Sequence, residues 1–109
     1  MLHVLFLCSQ NKLRSPTAEQ VFADWVGVET RSAGVNKGAD IPLSPDLLEW
    51  AELIFVMETR HRKKLSERFK PYLQHKKIIC LNIPDEYDYM DEALITLLQQ
   101  KVPLHLPDR

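Results

Sequence analysis

Two kinds of apolar pattern alternate along the chain. Residues 2–7, LHVLFL, form an almost unbroken run of branched and aromatic side chains, which predicts a strand buried on both faces. Past Ser15-Pro16, a helix-capping residue followed by a proline suited to a first turn, the period changes. Apolar residues recur at Ala18, Val21, Phe22, Trp25 and Val26, the spacing of a helix that Gly27 stops. A short strand is predicted around 30–33, ending at Gly34, and 35–46 read as loop. Ser44-Pro45 caps a short helix bearing Leu47, Leu48 and Trp50. LIFVM at 53–57 is a second buried-strand signal, followed by a basic helix over 59–70 that buries Leu65 and Phe69 and stops at Pro71. KIICLNI at 77–83 predicts another strand, and Leu94, Leu97, Leu98 and Val102 mark a last helix ended by Pro103.

Continuous apolar strands alternating with helices predict an α/β fold. The expected architecture is three-layer αβα, a doubly wound four-stranded parallel sheet of Rossmann-like type, formed as one domain over residues 1–109. In such sheets ligands bind beyond the carboxyl ends of the strands, where the strand order reverses. Cys8 and the segment after Ile83 both lie at such ends.

Composition narrows the class without naming a function. With 45% hydrophobic and 27% charged residues, the chain has the balance of a globular protein, not a disordered, fibrous or membrane one. Its apolar runs are too short to span a bilayer and its start lacks the charged region of a secretory signal, so a cytoplasmic protein is expected. Cys8 and Cys80 lie far apart, and His3, His61, His75 and His105 have no ligand spacing; neither a disulfide framework, a metal nor another cofactor is expected. A net charge of −1 argues against nucleic-acid binding. Eight of the fourteen Lys and Arg residues nevertheless fall between Arg60 and Lys77, either a solvated helix face or a docking surface for an acidic partner.

The loop CSQNKLRS, Cys8 to Ser15, changes the picture most. Wrapped from a strand end to a helix start, the backbone N–H groups of Ser9, Gln10, Asn11, Lys12, Leu13, Arg14 and Ser15 form a nest for a phosphate-sized anion. Asn11 tolerates the left-handed conformation that a tight concave loop needs, and Arg14 offers a planar fork of donors to two phosphate oxygens. The same positive field favours the thiolate of Cys8, the nucleophilic form, and Ser15 stands ready to donate its hydroxyl to the sulfur. A cysteine at the end of a buried strand is ordinarily core, and a bare C-x5-R carries little weight. The strand-loop-helix setting with Ser-Pro at the junction turns the reading toward a nucleophile. Phosphate-ester cleavage also needs an acid for the leaving oxygen, for which Asp85 and Asp88 are candidates; Asp91 and Glu92 suit a helix start. Tyr87 and Tyr89 offer faces that could wall a phosphoaryl substrate, or are packing residues.

VLFLCSQNKLRSPTAEQVF closely resembles the N-terminal signature of the low-molecular-weight protein tyrosine phosphatases, a C-x5-R-[ST] loop followed by Pro and Ala-Glu. RSAG at 31–34 resembles that family's second-strand segment, which implies that Ser32 braces Asn11; AELIFVM at 51–57 resembles its third strand. IPDEY at 83–87 falls where the family carries its general acid, which implies that role for Asp85. The chain departs from the pattern at Gln10, often glycine; at Leu13, a second cysteine in many members; at Glu86, normally proline; and in a compressed 35–50 segment that implies a shallower substrate pocket. The resemblance implies a cofactor-free phosphate-monoester hydrolase acting through a phosphocysteine, with Cys8, Arg14 and Asp85 catalytic and a phosphorylated protein or small phosphate ester as substrate. Two alternatives remain: an oxyanion-binding module without turnover, and arsenate reductase-like thiol chemistry, for which Cys80 is the only other sulfur nucleophile.

Overall fold

The computed structural model describes residues 1–108. Four parallel strands, β1 (Leu2–Cys8), β2 (Val28–Gly34), β3 (Leu53–Val56) and β4 (Lys77–Cys80), form one sheet in the order β2-β1-β3-β4. Between and after them run α1 (Arg14–Phe22), α2 (Pro45–Trp50), α3 (Thr59–Phe69) and α4 (Glu92–Lys101). This is the expected doubly wound αβα architecture. The chain leaves β1 to one side for β2 and returns to its other side for β3, so the reversal of order falls at the carboxyl end of β1, where Cys8 sits.

Side-chain alternation along β1 divides the interior. Val4, Phe6 and Cys8 face α1 and α4, where Phe6 stacks on Phe22 at 6.0 Å and on Phe55 at 5.3 Å; Leu5 and Leu7 face α2 and α3 with Leu48, Leu65 and Phe69. Each fully buried large side chain contributes about 1.5–3 kcal/mol, which fixes the register of β1 strongly. Cys80 packs on the α2–α3 side, so the two cysteines lie against opposite faces of the sheet.

Three local expectations change. Leu13, not Ser15, occupies the N-cap of α1, because the Ser15 hydroxyl is engaged by Cys8 and Asn11 and Ser15 itself is fully buried in the first turn. The helix ends at Phe22, so Trp25 is only partly buried and Val26 is 69% exposed, before Gly27 turns the chain with φ 82°. β4 is an edge strand of four residues, partly exposed rather than buried on both faces. Asn82, at φ 55°, breaks it, although Leu81 and Ile83 still donate to the carbonyls of Val56 and Met57 at 2.9 and 2.8 Å. Ser44 caps α2 as expected, its Oγ accepting from the N–H of Leu47 at 3.3 Å, and Asp91 caps α4 by accepting from the N–H of Ala93 at 2.9 Å.

Gly34 ties β2 to the cysteine loop. A Cβ there would lie 2.4 Å from the Cβ of Ala39 and 2.6 Å from the carbonyl oxygen of Ser9, so only glycine lets the two segments approach. The loop is then sewn to the segment after β2 by bonds from Val35, Asn36 and Asp40 N–H to the carbonyls of Cys8, Ser9 and Gln10, at 2.9, 3.1 and 3.0 Å.

Candidate active site

Asn11 takes the left-handed conformation, φ 56°, that the loop requires. Its buried amide donates to Ser15 Oγ at 2.9 Å and to Ser32 Oγ at 3.0 Å; Ser32 in turn donates to Glu19 Oε1. Ser15 Oγ also hydrogen-bonds Cys8 Sγ at 2.9 Å, closer than the Ala33 carbonyl at 3.4 Å; a thiolate at Cys8 can only accept, so that form takes the hydroxyl proton. While three loop carbonyls accept from residues 35–40, the N–H groups of 9–13 donate to no protein acceptor among the described residues. The concave side of the loop is thus a set of uncommitted donors beside a sulfur held by a hydroxyl.

Arg14 is 2% exposed and closes this nest. One terminal nitrogen donates to Glu58 Oε1 at 2.5 Å and to the Ile83 carbonyl at 2.7 Å, while Nε lies 3.7 Å from Asp85 Oδ1. Held by these contacts, Arg14 lines the cleft together with the loop. Asp85, half-exposed, shares a cleft of about 150 Å³ with Cys8, Ser9, Gln10, Lys12, Leu13 and Arg14. Lys12 pairs with Asp40 at 3.0 Å. Asp88 and Glu86 are exposed and outside the cleft; Tyr87 packs partly buried against the core, Tyr89 is 52% exposed, and neither ring lines the cleft.

Two residues that sequence reasoning did not assign to the site complete it. Glu58, at the start of α3, holds both Arg14 and Arg60; chiefly the Arg60 hydrogen bonds, opposed by partial burial and aided by Arg14, bring its carboxyl down to about 2. His61 is 1% exposed, and burial, reinforced by the charges of Arg14 and Arg60, lowers its pKa to about 4, so the ring is neutral. Its Nδ1 accepts from the N–H of Glu58 at 3.0 Å, which leaves the ring proton on Nε2 to donate to Ser9 Oγ at 2.9 Å. The available signal was positional: Met57-Glu58 follows β3 at the carboxyl edge, beside β1. No group of His, Cys, Asp or Glu side chains among the described residues is placed to hold a metal ion, and no helix is long and apolar enough to cross a membrane.

A parallel sheet whose central strand delivers a cysteine into a donor-lined loop defines a class of phosphate-loop α/β folds, and solved structures narrow it. A low-molecular-weight protein tyrosine phosphatase from Streptococcus pyogenes superposes with a TM-score of 0.80 over 99% of this chain and 95% of its own, at 15% identity. The YwlE arginine phosphatase from Geobacillus stearothermophilus matches over 100% of both chains at 22% identity and TM-score 0.71. Wzb from Vibrio vulnificus, solved with benzylphosphonate, matches over 90% of both at 25% identity and TM-score 0.68. No protein-family profile matches the chain, and no curated protein matches it in sequence. The chain has the fold of the low-molecular-weight protein tyrosine phosphatases.

Proposed function

We propose that the chain hydrolyses phosphate monoesters through a phosphocysteine. The observation that carries this is the meeting, in one cleft, of Cys8 Sγ bonded to Ser15, uncommitted loop donors, buried Arg14 and the Asp85 carboxyl. The thiolate attacks phosphorus while the loop N–H groups and Arg14 hold the equatorial oxygens, and Asp85 gives its proton to the departing oxygen. The S–P bond forms as the P–O bond breaks. Asp85, now a carboxylate, takes a proton from water as that water attacks the phosphocysteine; the sulfur departs as a thiolate stabilised by the Ser15 hydroxyl. The family's phosphatases named above support this reading, and the substrate is a phosphorylated protein or a small phosphate ester. The test is turnover of an aryl phosphate between pH 4 and 8. Wild type is expected to release phosphate with a phosphoenzyme trappable by rapid acid quench, and Cys8→Ala, which leaves no nucleophile at this position, to show neither; a folded wild type that binds phosphate without turnover sinks the proposal.

The shallow cleft, with no aromatic ring in its lining, favours oxyanion binding without turnover as the second reading. Arsenate reduction through a cysteine relay is disfavoured by the placement of Cys8 and Cys80 against opposite faces of the sheet.

A further inference from the structure

A second cleft, of about 310 Å³, adjoins the first, and Ser9 belongs to both. One wall is α3, where Arg60, Lys63, Lys64 and Glu67 fall at i, i+3, i+4 and i+7 and so share one stripe, beside the buried stripe of His61, Leu65 and Phe69. The other wall is Val35 and Asn36, just beyond β2. The walls are fastened together: Lys64 Nζ donates to Asn36 Oδ1 at 2.5 Å and the Arg68 guanidinium to the Val35 carbonyl, while the N–H groups of Val35 and Asn36 bind the carbonyls of Cys8 and Ser9. Between the clefts, Ser9 is held by the buried His61 ring. This cleft is therefore built on the same backbone as the phosphate loop.

Its charge is out of balance. Three cations, Arg60, Lys63 and Lys64, face one anion, Glu67. Among the described residues, neither lysine has a carboxylate within ion-pair reach, and Lys64 meets only a neutral amide. Arg60 shares Glu58 with Arg14, and Arg14 has Asp85 at 3.7 Å as a second carboxylate. The lysine stems and Val35 supply apolar surface below the charged rim.

We infer that this cleft seats an acidic peptide segment adjoining the phosphorylated side chain, its Asp or Glu carboxylates meeting Lys63, Lys64 and Arg60 while the phosphoryl group occupies the Cys8 loop. The inference rests on the phosphatase reading for the occupant of the loop. A peptide fits better than a small ester: the second cleft is about twice the volume of the phosphate cleft and lies to one side of it, so only a ligand that continues past the phosphorylated residue reaches both. Apolar walls under a cationic rim match methylene groups carrying carboxylates.

The test is fluorescence anisotropy with the Cys8→Ala chain, which has no nucleophile at this position and so leaves the peptide intact, and two phosphopeptides that differ only in acidic or neutral residues beside the phosphorylated one. The acidic peptide is expected to bind roughly fivefold tighter at low ionic strength, the yield of two or three exposed charge pairs, with the gap closing as salt rises. Lys63→Glu with Lys64→Glu is expected to abolish the gap, and Lys77→Glu, exposed at the opposite end of the sheet, to leave it. Equal affinity for the two peptides, or a gap that survives the double reversal, overturns the inference. Failure of either peptide to bind also overturns it; titration with inorganic phosphate then shows whether the phosphate loop stands without it or both readings fall.

Discussion

Acidification should test the buried histidine directly. His61 is 1% exposed, and its Nδ1 is committed as an acceptor from the N–H of Glu58, so protonation puts a second N–H against an existing donor. Its pKa falls from the ordinary 6.5 to about 4 on folding. Below pH 6.5 the unfolded chain binds this proton and the folded chain does not, so stability is complete above 6.5, declines as pH falls toward about 4, and then levels off. The full difference corresponds to roughly 3 kcal/mol, a large share of the ~5–15 kcal/mol of a typical domain. His61→Asn is the informative variant: its side-chain oxygen can still accept from the N–H of Glu58, and it does not titrate. Urea unfolding of both proteins at pH 7.5, 6, 5 and 4 should show the wild type losing about 2–3 kcal/mol more than the variant over that range. The other histidines are common to both and cancel. Parallel profiles would refute the argument that the ring is held neutral.

Glu58→Gln should leave the span from pH 7 to 5 unaltered in slope and flatten the acid limb below 4.5, where the wild-type carboxylate, held down to about 2, loses about 1–2 kcal/mol on protonation; acid titration by circular dichroism reads it. Asp85→Asn should lower kcat by about 10²–10⁴ for alkyl phosphates and far less for esters with acidic leaving groups, which need no proton; equal losses across a leaving-group series would remove Asp85 from the acid role. Arg14→Lys should weaken phosphate binding at least tenfold by calorimetry, since a single ammonium cannot hold Glu58 and the Ile83 carbonyl while presenting a fork. Gly34→Ala should cost about 1–3 kcal/mol in urea unfolding and depress activity, because the new methyl displaces Ser9 or Ala39.

Within the candidate site, the parts legible in the sequence are those with strong local signals. LHVLFL ending at Cys8, and the Ser-Pro before a periodic stripe, place the loop between strand and helix, and the structure finds Asn11 left-handed and Asp85 over the cleft. Ser15 shows where local rules stop: Ser-Pro signals a helix start, but the hydroxyl is engaged by Cys8 and Asn11, and the cap passes to Leu13. Glu58 and His61 were hidden because a helix start rich in charge looks like any solvated surface. Only the pairing of β3 with β1 brings Glu58 to Arg14 and His61 to Ser9, contacts 44 and 52 residues apart in the chain. Some of the basic residues between Arg60 and Lys77 also prove structural, with Arg62 donating to the Ile78 carbonyl and Lys76 to the Ala51 carbonyl.

The placement of the two cysteines against opposite faces of the sheet bears on survival under oxidants. As the nucleophile proposed above, Cys8 would be converted by peroxide to a sulfenic acid, which a nearby thiol normally captures as a disulfide. Here the neighbouring loop position is the hydrocarbon of Leu13, and Cys80, the sequence's only other cysteine, is walled off by the β-sheet core. Rescue falls to a small external thiol small enough to enter a cleft of about 150 Å³, and where none is present oxidation runs on to the irreversible sulfinic acid.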